Sequence, residues 1–254
     1  MIVERPRDLR LKTWLAHGFL WVFLAAILFP FAMVVSISFR EGNFTIGELF
    51  PSDPTLEHWY LAFGQPFTRE DGTLVQPPYP VLLWMWNSVK IGVIAACGTL
   101  ALSVVSAYAF SRIRFRGKTA ILDSLFLIQM FPTTLALVAL YAIFDSMGEV
   151  SPLLGIDSHV ALVLVYLSAI TLHIWTLKGY FNGIDPALDR AAEIDGASPW
   201  QTFRMIFLPL AVPMMAVVFV LSFINFVNDY PFASVLIRSE SQMTLAVGSR
   251  LYLN

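Results

Sequence analysis

Five stretches of this chain run without a charged residue and are dominated by apolar ones: 13–39, 91–111, 124–144, 158–177 and 205–228. Each meets the requirement of about 20 largely uncharged residues for an α-helix that crosses a hydrocarbon layer of ~30 Å. With their flanks they predict spans at about 14–39, 85–111, 121–144, 158–177 and 205–228, and hence an all-α polytopic membrane protein. The first block is too long for the apolar core of a cleavable leader, and no small-residue cleavage site follows it.

The polar positions between the blocks set the expected orientation, because inward-facing connections carry the excess of Lys and Arg. The tail 1–12 holds Arg5, Arg7, Arg10 and Lys12, and the connection after the second block holds Arg112, Arg114, Arg116 and Lys118. The connection between the third and fourth blocks has Asp145, Glu149 and Asp157 and no base. The segment 40–80 carries six carboxylates against Arg40 and Arg69. The N-terminal tail is therefore expected inside, 40–80 outside, 178–204 inside and 229–254 outside. Pro77, Pro78 and Pro80 are expected to stiffen the entry to the second span.

Composition agrees and narrows the chemistry. Apolar residues make up 57% of the chain and charged ones 13%, against about a quarter charged in an average soluble domain. The net charge of −2 gives no reason to expect nucleic acid. A single cysteine, Cys97, excludes an internal disulfide and a cysteine-built metal cluster. There is no GxxxxGK[ST] phosphate loop and no HExxH pair, and His17, His58, His159 and His173 lie far apart, with His17 and His173 read as interhelical hydrogen-bonders or interfacial residues. No ionisable residue falls at the centre of a block; Lys90, Asp123 and Asp229 sit at block ends, which disfavours a cation-coupled transporter. Pro30, Pro132, Pro209 and Pro213 each delete a backbone hydrogen bond in or beside a span.

The connection 178–204 is the most heavily punctuated part of the chain. Asp185 before Pro186 reads as an N-cap with proline at the first helical position. Asp195 and Gly196 stop that helix, Gly196 being expected at positive φ, and Ser198 with Gln201 has the spacing of a capping box that starts another. This predicts a helix, a sharp break, and a second helix running towards the fifth span. The punctuation by itself fits a passive polar hairpin better than a docking element, and both readings stay open on these grounds.

Ala191 and Ala192, three residues, Gly196, nine residues, Ile206, one residue, Leu208 and Pro209 resemble the EAA signature of the permeases of binding-protein-dependent ABC importers. The resemblance extends over nearly the whole chain and is closest to the smaller permease subunits of maltose/maltodextrin importers. It is carried by PPYPVLLWMWNSVKI from Pro77, YAFSRIRFRGK from Tyr108, QMFPTTLALVALYAIFD from Gln129 and TLAVGSRLYLN from Thr244. It implies the MetI-like helix bundle of type I importers. Five of the family's six spans are found before Asn254 and the sixth is expected to be missing.

The resemblance further implies that 178–204 is the coupling loop, with Arg190, Ala191, Ala192, Glu193, Asp195, Gly196, Ile206, Leu208 and Pro209 at the contact with a cytoplasmic ATPase. Arg190 stands where the family has a glutamate, so a pairing with a basic residue of the ATPase would have to come from Asp189 or Glu193 or from a changed partner. Arg250, Leu251, Tyr252, Leu253 and Asn254 would lie against a periplasmic sugar-binding protein. The implied partners are a larger homologous permease, which would hold most of the sugar, a dimer of the ATPase, and that binding protein. ATP and Mg would belong to the ATPase, with no cofactor on this chain and no catalytic residue. The implied location is a bacterial inner membrane. Another sugar or glycerol phosphate as cargo, a structural membrane subunit and an intramembrane enzyme are the alternatives; the last two leave the EAA spacing unexplained.

Overall fold

The computed structural model describes residues 6–42, 51 and 53–253, which form two units, Met1–Leu82 and Leu83–Asn254. In the first unit, α1 (Pro6–Ile37) is apolar on every side: Arg10–Ile37 has a mean hydropathy of 2.5 and none of that window is buried. A helix apolar all round suits lipid rather than water. Pro30 lies inside α1 without ending it.

The segment 40–80, expected outside, is more than a turn-rich connection. It contains α2 (Glu57–Ala62) and a short hairpin of β1 (Phe67–Thr68) and β2 (Leu74–Val75), paired Phe67 to Val75 and Thr68 to Leu74. Arg69, beside the hairpin turn, donates from Nε and Nη2 to the buried Glu57 carboxylate at 2.8 and 2.6 Å. That bond, opposed by burial, holds the Glu57 carboxyl below the usual carboxylate range. The N–H of Thr55 donates to the carbonyl of Phe39 at 2.7 Å, which ties α2 to the end of α1.

The second unit is threaded by α3 (Val81–Arg112), which starts directly after Pro80 and runs for 32 residues. Next come α4 (Lys118–Gln129), a 3-10 turn at Thr133–Ala136, and α5 (Leu137–Val150). The continuous third span expected at 121–144 is therefore corrected to two helices. The ring of Pro132 disfavours helical geometry at Phe131, and the N–H of Leu135 turns back to the Pro132 carbonyl at 3.0 Å, opening a tighter turn.

The fourth block, expected as one span at 158–177, is α6 (His159–Leu167) and α7 (Ile170–Asn182), bent by 45°. At the bend both the N–H and the hydroxyl of Ser168 bond the Val165 carbonyl, at 3.0 and 2.6 Å, in place of the helical ladder. The chain continues through α8 (Ala187–Ile194) and α9 (Pro199–Thr202) into a π-turn at Phe203–Phe207 and α10 (Leu208–Val227). The wider π register just before Pro209 gives room to the proline ring against the carbonyl one turn back. Pro213 sits inside α10 without breaking it. Two short helices, α11 (Pro231–Leu236) and α12 (Leu245–Gly248), precede a 3-10 turn at Ser249–Leu253. Among the described residues, three helices can cross a membrane by length and composition, Arg10–Ile37, Val81–Arg112 and Pro199–Val227, and α6 with α7 makes a fourth if the bent pair is one span.

Two apolar cores hold this unit. One joins Ile91, Ala95 and Ala96 of α3 to Leu162, Val165 and Tyr166 of α6, Phe226 of α10, and Leu236 and Ile237. The other joins Val104, Ala107 and Tyr108 of α3 to Leu177 and Phe181 of α7, Phe203 and Phe207 of the π-turn, and Ala211 and Val218 of α10. Small residues let α3 pack closely: a Cβ on Gly98 would come within 2.6 Å of Leu167 Cδ2, and one on Gly92 within 2.9 Å of Val227 Cγ2. His173 makes the expected interhelical bond, 3.0 Å to Ser222 of α10, whereas His17 bonds the carbonyl of Thr13 in its own helix at 2.7 Å.

Candidate functional site

The loop between α7 and α10 is built by local hydrogen bonds at the positions its punctuation marks. Asp185 Oδ1 accepts the N–H of Ala187 at 2.8 Å and so caps α8. Helix α8 ends in a Schellman motif: the N–H of Ala197 reaches the Ala192 carbonyl at 2.9 Å and that of Gly196 reaches the Glu193 carbonyl at 3.1 Å. This closure requires the left-handed conformation, and Gly196 has φ +75°. Two residues later Ser198 and Gln201 form the full capping box, at 3.3 Å from Ser198 Oγ to the Gln201 N–H and 2.8 Å from the Ser198 N–H to Gln201 Oε1.

What holds the loop against the rest of the unit was not visible in its own sequence. Arg112, the last residue of α3, donates from Nη2 to the carbonyls of Phe181 and Ile184 at 2.8 and 2.7 Å. Its Nη1 lies 3.3 Å from Asp189 Oδ2 in α8, and its guanidinium lies 4.8 Å from the ring centroid of Phe207. One turn earlier, Tyr108 donates to the Pro199 carbonyl at 3.1 Å and packs its ring against Phe181, Phe203 and Phe207. Ser111 bonds the side chain of Asn182 at 2.7 Å. Between α3 and the loop lies a cleft of about 410 Å³ lined by Tyr108, Arg112, Asp189, Glu193 and Thr202 among others.

The residues singled out from the signature do not share one face. Ala192 is buried, 4% exposed, against this chain, so the close approach that its small side chain permits is internal. Arg190, Ala191, Glu193, Asp195 and Gly196 are exposed, and Ile194 beside them is 87% exposed. Ile206 and Leu208 pack half-buried against the second core, and Pro209 is exposed. Asp189, engaged by Arg112, and Glu193 one turn on both line that cleft, whereas Arg190 is exposed and is not part of its lining.

The second candidate region, 250–254, lies at the other end of the unit. Arg250 is exposed with its guanidinium 4.9 Å from the ring centroid of Tyr230, Leu251 is half-buried, and Tyr252 is 43% exposed. Asn254 and the side chain of Leu253 lie outside the described residues. The preceding loop is held by buried side chains. Trp84 Nε1 donates to the Glu240 carbonyl at 2.8 Å, and Asn87 Nδ2 donates to those of Ser241 and Met243 at 3.0 Å each. Ser88 Oγ accepts the N–H of Leu245 at 2.8 Å, and His159 Nε2 lies 2.8 Å from the Gln242 carbonyl. Asp157, at φ +67°, accepts the N–H groups of Arg238 and Ser239 at 2.9 and 2.8 Å.

Comparisons with known proteins identify the family and the fold. Residues 91–253 match the family described as "Binding-protein-dependent transport system inner membrane component". The maltose/maltodextrin transport system permease protein MalG of Vibrio parahaemolyticus is 51% identical over 253 residues, covering 100% of this chain and 86% of the relative. MalG of Escherichia coli K12 is 49% identical over 254 residues, again covering 100% and 86%. Among solved structures, a bacterial ABC transporter involved in the import of the acidic polysaccharide alginate superposes with a TM-score of 0.75 at 22% identity, covering 97% of this chain and 81% of that one. The expected MetI-like permease fold is thereby found, and the chain belongs to the binding-protein-dependent transport system inner membrane components.

Proposed function

We propose that this chain is a permease subunit of an ATP-driven importer of maltose or maltodextrins, that it forms part of the translocation path, and that α8 and α9 are its contact with a cytoplasmic ATPase. The observation that carries the coupling role is the Schellman-broken helix pair clamped by Arg112 and Tyr108, which presents Arg190, Ala191 and Ile194 outward. The cargo reading rests on full-length similarity of about half identity to the maltose/maltodextrin permeases. A larger permease, the ATPase dimer with its ATP and Mg, and a periplasmic sugar-binding protein complete the assembly. Alternating access then follows from the two states of the ATPase, which the loop must bind unequally for transport to be driven. The chain would lie in the inner membrane with its N-terminus in the cytoplasm.

Reconstituted with these partners in proteoliposomes, the subunit is expected to support ATP-dependent uptake of radiolabelled maltose and maltotriose. Uptake of glycerol phosphate or an unrelated sugar instead would replace the cargo reading and leave the coupling reading standing. The orientation is tested by single cysteines on intact spheroplasts: those at Asp71 and Glu149 should react with a membrane-impermeant reagent and those at Arg116 and Ala191 should not. The reverse pattern would overturn it.

A further inference from the structure

Helix α3 holds the inner loop at one end and the outer segment 240–248 at the other. Its last two turns supply Tyr108, Ser111 and Arg112 to the loop between α7 and α10, and its first turns supply Trp84, Asn87 and Ser88 to the backbone of the outer segment. We infer that α3 is the strut that carries movement of the inner loop to the outer segment 240–253, with Trp84, Asn87 and Ser88 as positioning residues at the outer end and Tyr108 and Arg112 at the inner end. The inference deepens the proposed function and rests on it.

Three observations support a rigid link. First, α3 is unbroken: from Trp84 to Arg112 it rises about 42 Å at 1.5 Å per residue, with no proline inside it. Among the described residues, α4 and α5 are separated at Pro132 and α6 and α7 meet at a 45° bend, while the run Pro199–Val227 is continuous but carries a π-turn at Phe203–Phe207 and Pro213 within it. An intact ladder of helical bonds transmits a shift that a bend or a π-turn can absorb.

Second, the outer contacts grip main chain. Trp84, Asn87 and Ser88 are 0%, 2% and 3% exposed, and between them they take the carbonyls of Glu240, Ser241 and Met243 and the N–H of Leu245. A loop on the surface would give those groups to water; here their positions are dictated by one helix. Gly248 lies under the Trp84 ring so closely that a Cβ would come within 2.2 Å of it. Third, the inner contacts also grip main chain, at Phe181, Ile184 and Pro199. A displacement of the loop backbone therefore bears on the helix directly. Shifts of 1–2 Å are of the size that packed helices undergo in such transitions.

The test uses the full transporter in nanodiscs in a Cys97→Ala background, with an environment-sensitive fluorophore on Ala187→Cys in the inner loop or on Ser249→Cys in the outer segment, both exposed positions. ATP with vanadate is expected to change the signal at both labels. In Asn87→Leu, and in the milder Trp84→Phe, which loses one hydrogen bond and keeps an aromatic ring over Gly248, the inner change is expected to persist. The outer change is expected to fall at least threefold. An outer change that is undiminished in both variants overturns the strut and leaves the coupling reading intact. So does an outer label silent in the unsubstituted complex while the inner one responds. A silent inner label in the unsubstituted complex overturns the coupling reading, and the strut with it.

Discussion

Gly196→Val is expected to reduce sugar uptake by about tenfold or more while the subunit still reaches the membrane at near-normal abundance. The residue closes α8 at φ +75°, and nothing lies within 4 Å of a Cβ placed there, so valine would meet no steric neighbour. Its cost is in the backbone, of order 1–3 kcal/mol for a β-branched residue in the left-handed region, where about 1.4 kcal/mol already corresponds to tenfold in an equilibrium. The strain is relieved by opening the closure, which frees the Ala192 and Glu193 carbonyls and swings α8 away from the axis that α9 sets. Insertion depends on the apolar blocks, and these are untouched. Gly196→Ala should fall between the two, since alanine adopts the conformation at lower cost. Uptake and sugar-stimulated ATP hydrolysis measured side by side in proteoliposomes decide the matter: wild-type values of both in the valine variant would falsify the coupling role of this break.

Arg112→Ala is expected to have the larger structural effect, uncoupling hydrolysis from uptake and loosening 181–200. One guanidinium holds the Phe181 and Ile184 carbonyls, pairs with Asp189 and rests on Phe207. Hydrogen bonds to a charged group contribute about 1.5–3 kcal/mol each in partly buried settings, and the half-exposed Asp189 pair adds less. Lysine retains the charge but lacks the planar fork that reaches two carbonyls and a carboxylate together. Arg112→Lys should therefore remain well below wild type. Hydrogen exchange of the assembled complex is expected to show faster exchange across α8 in both variants, with Leu162–Val165 of α6 unchanged. Protection of α8 equal to wild type in Arg112→Ala would show that the aromatic packing of Tyr108 suffices to hold the loop.

The loop 178–204 was legible in the sequence because its geometry is decided within three or four residues. Asp185 caps Ala187, Ser198 caps Gln201, and Gly196 closes a motif on Ala192 and Glu193. The side of the helix that faces inward was not legible: Ala191 and Ala192 are identical in sequence terms, and only packing buries the second and exposes the first. The anchor was equally hidden, since Arg112 meets its carbonyls across 69 and 72 residues and reads in the sequence as one basic residue of an inward-facing cluster. Proline shows the same limit. Pro30 and Pro213 are carried inside helices, Pro209 follows a π-turn, and Pro132 divides a span, although the residue removes the same donor each time.

By itself the sequence determined that the chain resides in lipid, how many apolar blocks it has, and where the loop 178–204 starts, breaks and restarts. These follow from apolar length and from capping chemistry, both of which are local. Tertiary structure alone decided which blocks are single helices, which alanine faces inward, and that α3 reaches both loops. The bonds from Trp84 and Asn87 to the segment 240–243 span 154 to 156 residues. The physical reason is that a residue facing lipid and a residue facing another helix are alike apolar, so hydropathy records the membrane and is silent about the partner.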